Sequence, residues 1–238
     1  MHPIHFPKAT DGNLNHGQYR GGFWSGLSPD TRKAFLSISH RVTYPEGAVL
    51  FAEQEDPRGV FVIVSGSAKN SMTSADGRTV ILNINRTGDV MGLQEAVGGE
   101  TYQTTAETLE LSEIRIARRG PFLNFLHDNP DVTLQVAREL GHQYYTACGQ
   151  VRTLALLHSA SKKLAWFFME WASRAKWGGF GAPAKLPLTH EEIGQIIGIS
   201  RETVTRTLTR FRNQRLVRID HSTLLIENPA TLGHFAQV

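Results

Sequence analysis

Residues 186–218 read LPLTHEEIGQIIGISRETVTRTLTRFRNQRLVR. Thr189 followed three positions later by Glu192 is the capping-box pattern that begins a helix, and Gly198 is suited to end it. Ser200 can cap a second helix, because its hydroxyl can accept from the first backbone N–H groups. Apolar residues recur at helical spacing in both predicted helices: Ile193, Ile196, Ile197, Val204, Leu208 and Phe211. The stretch therefore predicts two short helices joined by a tight turn, the helix-turn-helix arrangement.

The second predicted helix carries polar side chains on the face opposite its apolar residues. Arg can donate two hydrogen bonds to guanine and Glu can accept one from the cytosine amino group, so this face suits the major groove of DNA. The candidates for reading base edges are Arg201, Glu202, Thr205 and Arg206. The candidates for contacting phosphates are Thr189, Ser200, Thr203, Arg210, Arg212 and Arg215. An ordinary solvated helix is the alternative, but the caps, the turn and the core spacing all agree with DNA binding.

Charge is distributed unevenly along a chain whose formal net charge is only +3. Residues 47–113 contain 4 Lys and Arg against 10 Asp and Glu, a net charge of −6. Residues 185–218 contain 7 Lys and Arg against 3 Glu, a net charge of +4. A basic segment in an otherwise acidic or neutral chain favours an anionic partner, of which nucleic acid is the commonest.

Residues 42–117 have the pattern of a small β domain. Short apolar runs are separated by glycine-containing turns at about ten-residue intervals, which is typical of a sandwich or barrel. The runs are Val49–Phe51, Val60–Val64, Val80–Ile84 and Leu109–Ile116. Asp76-Gly77 predicts a tight hairpin, because glycine supplies the positive φ that such a turn needs. After the basic segment, two more β-type runs flank residues 220–222 and predict a wing hairpin beside the helices.

From Asp131 the apolar spacing becomes helical. Six residues alternate at spacings of 3 and 4 and form the seam of a long helix: Ala137, Leu140, Tyr144, Ala147, Val151 and Leu154. Such a seam is typical of a helix that pairs with a copy of itself. Packing against the chain's own β domain is the alternative. Gly141 and Gly149 lower the intrinsic stability of this helix, so it needs contacts with other elements.

Composition excludes several classes of protein. The single cysteine, Cys148, excludes an internal disulfide, a cysteine-ligated zinc site and a four-cysteine iron–sulfur cluster. No apolar stretch approaches the ~18–20 residues of a membrane span. Residues 1–25, which we predict to be a flexible arm, lack the apolar core of a secretory signal. We therefore expect a cytoplasmic protein. No GxSxG, HExxH or glycine-rich phosphate loop is present, so we expect that the protein is not an enzyme.

The stretch EEIGQIIGISRETVTRTLTRF, residues 191–211, resembles the helix-turn-helix of the Crp/Fnr superfamily, the cyclic-AMP receptor protein and its relatives. Gly47, Gly66 and Gly88 fall where the β-roll glycines of that superfamily fall. The resemblance implies an α+β fold with an N-terminal antiparallel β-roll, cupin-like and of the cyclic-nucleotide-binding type. A long dimerisation helix and a C-terminal winged helix-turn-helix would follow. The implied segments after the arm are residues 26–130, 131–158 and 159–238.

The function that this resemblance implies is a homodimeric transcription regulator that is controlled by an effector at the β-roll. Arg201, Glu202 and Arg206 match the base-reading positions of the cyclic-AMP receptor branch. Glu202, Thr205 and Arg206 also resemble the Glu-Ser-Arg set of the oxygen-sensing branch, so the half-site has a TGA core and both TTGA and GTGA stay open. The implied partners are double-stranded DNA, a second copy of the chain and RNA polymerase. A regulatory module that senses a cyclic-nucleotide-type or haem-type ligand, and whose DNA binding is secondary, is the alternative function.

At the β-roll the sequence departs from the cyclic-AMP branch. That branch holds the phosphate with a Gly-Glu pair and, about ten residues later, an Arg-Ser pair. Here Gly92 is followed by Leu93, and the second position reads Gln103-Thr104. The arginine that would neutralise the phosphate is missing, and a buried unpaired phosphate is costly. We therefore expect these four residues to mark an effector pocket for a molecule other than cyclic AMP.

Two further hypotheses concern histidines and the cysteine. Some members of the superfamily sense gas through haem, and six histidines are candidate ligands with none favoured: His2, His5, His16, His127, His142 and His158. Cys148 follows the seam residue Ala147 and is a candidate redox switch. A buried, small apolar thiol is the simpler interpretation.

Overall fold

The computed structural model describes residues 23–174 and 183–236. Most of the predicted arm, residues 1–22, lies outside these ranges. Its last residues do not form an arm, because Phe23–Gly26 make a 3-10 turn and the Phe23 ring is fully buried. The ring centroid of Phe23 lies 5.7 Å from that of Phe35 and 6.4 Å from that of Phe122. Phe23, which lies within the predicted arm, is therefore part of the folded core.

An antiparallel β-roll of two four-stranded sheets forms the N-terminal domain, as the sequence predicts. In spatial order, the strands of the first sheet are β1 (Ser39–Tyr44), β8 (Ser112–Arg118), β3 (Gly59–Ser65) and β6 (Val90–Met91). Those of the second are β2 (Val49–Phe51), β7 (Thr105–Thr108), β4 (Ser67–Thr73) and β5 (Thr79–Arg86). The predicted hairpin joins β4 to β5, with Gly77 at φ +82°. The run Leu109–Ile116 is not one strand, because residues 109–111 connect β7 to β8.

The interior of the β-roll is filled with apolar and aromatic side chains. The rings of Phe51 and Tyr102 are stacked with centroids 4.0 Å apart, and Tyr102 is fully buried. The Tyr102 hydroxyl accepts from the backbone N–H of Arg58 at 3.0 Å and donates to the carbonyl of Gly59 at 3.1 Å. Burial raises the pKa of Tyr102, so this group is a neutral hydroxyl. The ring is thus a fixed part of the core.

Helices cover one side of the β-roll and lead to the second domain. They are α1 (Pro29–Ser37), α2 (Leu93–Gly98), α3 (Arg119–Asp128) and the 27-residue α4 (Pro130–Leu156). Val132 and Val136 near the start of α4 are buried in the same cluster as Phe35 and Phe122. The long helix is therefore anchored on the β-roll through its first turns. Within residues 23–174 and 183–236, no helix combines the length and apolar character needed to cross a membrane.

The second domain is a winged helix-turn-helix, again as predicted. Its elements are α5 (Ala160–Arg174), β9 (Ala184–Lys185), α6 (His190–Ile197), α7 (Arg201–Asn213), β10 (Val217–Asp220), β11 (Thr223–Ile226) and α8 (Pro229–Ala236). Strands β10 and β11 form the wing hairpin, and β9 adds a third strand beside β11. Leu164 and Phe168 of α5 pack with Ile197, Val204 and Phe211 of the two motif helices.

The β-roll and the second domain are packed against each other along β5. Ile81 is fully buried and belongs to the apolar cluster of the second domain. The guanidinium carbon of Arg86, at the end of β5, lies 4.2 Å from the centre of the Trp171 ring on α5. The side-chain amide of Gln150 on α4 donates to the carbonyl of Ile81 at 3.2 Å and also to that of Ile196. The position of the helix-turn-helix is therefore fixed relative to the β-roll by buried contacts.

Candidate DNA-binding interface

Both helices of the motif begin with the caps that the sequence predicts. The Thr189 hydroxyl accepts from the backbone N–H of Glu192 at 3.2 Å, and the Glu192 carboxylate accepts from the backbone N–H of Thr189 at 2.9 Å. At the start of α7, the Ser200 hydroxyl accepts from the backbone N–H of Thr203 at 3.3 Å. These bonds satisfy N–H groups that the first turn leaves without helical partners. The caps define where each helix starts, and so which side chains lie in the first turn of α7.

Two glycines permit the tight approach of α6 and α7. Gly198 ends α6 at φ +65°, a left-handed conformation that side chains rarely adopt. Gly194 lies inside α6, and a Cβ atom there would be 2.5 Å from the carbonyl oxygen of Ile199. A larger residue at either position would therefore displace the turn that sets the angle between the helices.

The first turns of α7 present the predicted base-reading residues to solvent. The four exposed side chains are Arg201, Glu202, Thr205 and Arg206. Val204 on the opposite face is fully buried, so the helix is fixed with its polar face outward. Hydrogen bonds from its own backbone N–H and from Ser200 hold the pKa of Glu202 below its usual value. Glu202 is therefore a charged acceptor at neutral pH, as contact with a cytosine amino group requires.

His190 also belongs to this surface, although no sequence pattern indicates that it does. The Nδ1 atom of His190, at the first position of α6, lies 2.8 Å from Oγ1 of Thr205 on α7. The same Thr205 hydroxyl donates to the backbone carbonyl of Arg201 at 3.0 Å. Residues 190 and 205 are on different helices, so only the packing of α6 on α7 brings them together. His190 and Arg201 also line an open cleft with Thr189 and Glu191.

The predicted phosphate-contacting residues fall into three groups. Arg212 and Arg215 are exposed near the end of α7, where Arg215 has φ +53°. The guanidinium group of Arg210 instead donates to the Ser161 hydroxyl on α5. The three hydroxyl residues are occupied in caps: Thr189, Ser200 and Thr203. Arg210 is exposed as well but is bonded to Ser161, so Arg212 and Arg215 are the better placed to contact DNA.

The four predicted effector-pocket residues each have local contacts within the protein. Leu93 is 1% exposed and packs in the apolar cluster between the β-roll and the helices. Gly92 has φ +70° and caps α2. The Gln103 side-chain amide donates to the carbonyl of Thr101, and the Thr104 hydroxyl accepts from the Asn70 amide at 2.8 Å. The side chains of Leu93, Gln103 and Thr104 thus each have their own local partner or packing.

The candidate histidine ligands that lie within the described residues are far apart in the sequence. Of the six histidines named above, three lie in residues 1–22, outside the described part. The remaining three, His127, His142 and His158, are exposed at separate places along α3, α4 and the segment after α4. Within the described ranges there is no group of three or more His, Cys, Asp or Glu able to hold a metal ion. Cys148 is exposed on the chain, so the interpretation as a buried thiol is wrong for the single chain.

The predicted seam of α4 divides between two faces. Ala137, Tyr144, Ala147 and Val151 are exposed, with Tyr144 at 72% and Val151 at 64%. Leu140 packs against the β-roll cluster, and Leu154 lies against the Gly198 turn. Exposed positions recur at spacings of 3 and 4 along a slightly different line: Leu134, Ala137, Gly141, Tyr144, Cys148, Val151 and Ala155. Leu140 and Leu154 therefore serve the chain's own packing, which was the alternative left open by the sequence.

Two protein families match the two domains. The family described as "Crp-like helix-turn-helix domain" matches residues 162–235, and the cyclic nucleotide-binding domain family matches residues 41–129. Together the two matches span more than half of the chain.

Known proteins match over most of the chain. The transcriptional activatory protein AadR of Rhodopseudomonas palustris is 28% identical over 194 residues, 81% of this chain and 80% of that protein. A CRP-like cAMP-activated global transcriptional regulator of Mycobacterium tuberculosis is 26% identical over 221 residues, 92% of this chain and 97% of that protein.

A solved structure gives the same picture of the fold. The structure of FixK2 from Bradyrhizobium japonicum superimposes with a TM-score of 0.76 at 21% identity, and the match covers 84% of this chain and 98% of that one. The architecture of this chain agrees with both family matches, since it has a β-roll, a long helix and a winged domain with an exposed helix α7. The chain belongs to the Crp/Fnr superfamily and is a DNA-binding transcriptional regulator of the Crp type.

Proposed function

We propose that this regulator works as a homodimer on a palindromic operator with a TGA core in each half-site. The observation that carries the proposal is the exposed set of Arg201, Glu202 and Arg206 in the first turns of a capped helix. Arginines there can donate to guanine and the glutamate can accept from cytosine, which together suit a G·C pair within the core. Two such helices related by a two-fold axis match the two halves of a palindrome.

The exposed apolar line of α4 supports the dimer. Tyr144 and Val151 are large and strongly exposed in the single chain, and Ala137 and Gly141 lie on the same line. Small residues between larger ones allow two helices to approach closely, and spacings of 3 and 4 are those of a two-stranded coiled coil. Crp-family regulators are typically dimers. Pairing of α4 with its copy would cover this face and place the two α7 helices on one side of the DNA.

The effector that we propose for the β-roll is not cyclic AMP. A buried cyclic phosphate needs a cation and hydrogen-bond donors. Leu93, which follows Gly92, is apolar and 1% exposed, and Gln103 stands where the cyclic-AMP branch has its arginine. The fully buried Tyr102 beside these residues is fixed by hydrogen bonds to the backbone. These residues do not fit a cyclic nucleotide, so the activation named for the M. tuberculosis relative is not carried over.

Binding-site selection from a randomised DNA duplex tests the operator. We expect the full chain to enrich an inverted repeat with TGA in each half and half-site centres ~34 Å apart, about one helical turn. Enrichment of no motif would contradict sequence-specific binding, and a single unrepeated half-site would contradict the homodimer. Isothermal calorimetry with cyclic AMP tests the effector: we expect no tight site, and a sub-micromolar Kd would contradict our interpretation of Leu93 and Gln103.

A further inference from the structure

The hydroxyl group of Thr205 is already engaged within the protein. Its Oγ1 lies 3.0 Å from the backbone carbonyl of Arg201, to which it donates its proton. The same oxygen lies 2.8 Å from Nδ1 of His190, and it accepts from that nitrogen when the proton of the ring is on Nδ1. A threonine hydroxyl has one proton to donate. That proton is therefore not available to an acceptor on DNA.

We propose that Thr205 recognises thymine through its methyl group and that His190 imposes this choice by holding the hydroxyl. The inference rests on the proposed DNA binding and names one of the bases that α7 reads. The methyl group is the part of the Thr205 side chain that makes no hydrogen bond, and the residue is exposed on the base-reading face. Thymine presents its own methyl group in the major groove, and threonine methyl groups make apolar contacts with it.

The acceptor atoms in the major groove suit this side chain less well. Guanine N7 and O6, adenine N7 and thymine O4 are all acceptors, so each requires a donor from the protein. Thr205 could offer one only by breaking its bond to the Arg201 carbonyl. Arg201 and Arg206 are exposed on either side of it in sequence and supply donors for those acceptors. In this scheme the two arginines donate hydrogen bonds to base edges, and Thr205 makes the apolar contact.

His190 is a positioning residue in this scheme, because it acts through Thr205. It occupies the first position of α6, directly after Thr189. The reciprocal bonds between Thr189 and Glu192 fix the start of that helix, so the imidazole ring is attached to a well-defined backbone position. The bond from His190 then stabilises the rotamer of Thr205 in which the hydroxyl is turned towards the protein.

The first experiment removes single methyl groups from the DNA. Each thymine of the selected operator is replaced in turn by deoxyuridine, which keeps the same base pairing and lacks only the 5-methyl group. Fluorescence anisotropy then measures the Kd of the full chain for each duplex. We expect one thymine in each half-site at which the replacement weakens binding about fourfold, the value for loss of one buried methyl group. No sensitivity at any thymine would overturn the proposal.

Two variants identify the responsible group on the protein. Thr205→Ser keeps the hydroxyl and its two bonds but lacks the methyl group, and should bind thymine and deoxyuridine equally. Thr205→Val keeps a methyl group without the hydroxyl, and should retain the preference. The opposite pattern, with the preference kept in the serine variant and lost in the valine variant, would show that the hydroxyl makes the contact.

A pair of substitutions at His190 tests its positioning role. His190→Ala leaves the Thr205 hydroxyl held only by its bond to the Arg201 carbonyl, so the rotamer is less well fixed and the preference for thymine over deoxyuridine should fall below twofold. His190→Asn can place an amide donor near the position of Nδ1 and should restore the preference. An unchanged preference in His190→Ala would overturn the role of His190. Failure of the wild-type chain to select any operator would instead overturn the proposed function, so the two failures are distinguishable.

Discussion

The ammonium group of Lys69 on β4 lies 3.5 Å from the carboxylate of Glu192 on α6, across the contact between the β-roll and the helix-turn-helix. The same Nζ atom lies 3.2 Å from the carboxylate of Glu107 on β7. The Lys69 and Glu192 side chains are only 17% and 15% exposed. Glu192 is also the carboxylate of the α6 capping box. One lysine therefore connects the β-roll to the carboxylate that caps the first motif helix.

Lys69→Met should loosen this contact. Without the cation, Glu107 and Glu192 face each other as like charges in a poorly solvated position, which we expect to lower the free energy of unfolding by about 1–3 kcal/mol. Hydrogen exchange should accelerate at the amides of α6 and β5. Lys33→Met removes the same charge at an exposed site on α1 and serves as the control. Equal exchange rates in the two variants would show that the ion pair does not hold the domains together.

Gln150 provides a second connection, and its effect depends on hydrogen-bond donation. The Ile196 carbonyl is in the last turn of α6 and has no helical partner, and the Ile81 carbonyl is on β5, an edge strand. Gln150→Glu has nearly the same shape but places a carboxylate beside two carbonyl oxygens. We expect it to cost more stability than Gln150→Leu, which should cost about 1–3 kcal/mol. Chemical denaturation would decide, and a more stable glutamate variant would contradict the donor role.

The sequence is most informative where structure depends on near neighbours. The capping box, the Gly198 turn and the apolar stripes of α6 and α7 are all signals within a few residues, and the structure confirms them. The wing hairpin and the β4–β5 turn are local in the same sense. The general form of the DNA-binding face therefore follows from residues 186–218 alone.

The contacts that the sequence does not reveal join distant segments. Nothing in the spacing of residues relates His190 to Thr205, or Gln150 to Ile81, since each pair meets only when whole elements pack. The prediction of the α4 seam is partly wrong for a related reason. A helix that packs on its own chain through one face and is exposed on another carries apolar residues on both, and periodicity does not separate the two sets.

Arg206 and Arg212 should have different effects on DNA binding. Arg206 lies on the exposed face of α7 that we propose to read bases, whereas Arg212 lies near the C-terminal end of the helix. Arg206→Ala should reduce discrimination at one guanine by ~1–3 kcal/mol, and Arg212→Ala should weaken all sequences alike and lower the salt dependence by about one charge. Binding-site selection and salt titration measure the two effects. An unchanged preferred sequence for Arg206→Ala would remove that residue from base recognition.

Glu139 should make stability depend on pH in a defined direction. It is buried where α4 meets the β-roll, and burial raises its pKa above the ordinary value of 4.5. Gln143 donates to it, Asp89 adds to the increase and His142 opposes it. Because the folded state binds this proton more tightly than the unfolded chain does, the free energy of unfolding falls as pH rises from about 4.5 through the raised pKa.

Glu139→Gln should remove that loss, since the amide is never charged and can still accept from Gln143. Denaturation curves from pH 5 to 8 should be flatter for the variant, and the variant should be the more stable protein at pH 8. Glu46→Gln, at an exposed position, is the matched control. If the wild type and Glu139→Gln kept the same pH dependence, Glu139 would be solvated in solution.

Val151→Glu and Leu154→Glu should have different effects, because the two residues lie on different faces of α4. Val151 is 64% exposed in the single chain, whereas Leu154 lies against the Gly198 turn. Val151→Glu removes two buried valines from each dimer, about 3 kcal/mol, and should raise the dimer Kd about 100-fold while each chain stays folded. Leu154→Glu should instead lower the unfolding temperature of the chain. Sedimentation velocity and thermal unfolding measure the two effects, and intact dimers of a folded Val151→Glu variant would place the dimer contact elsewhere on the molecule.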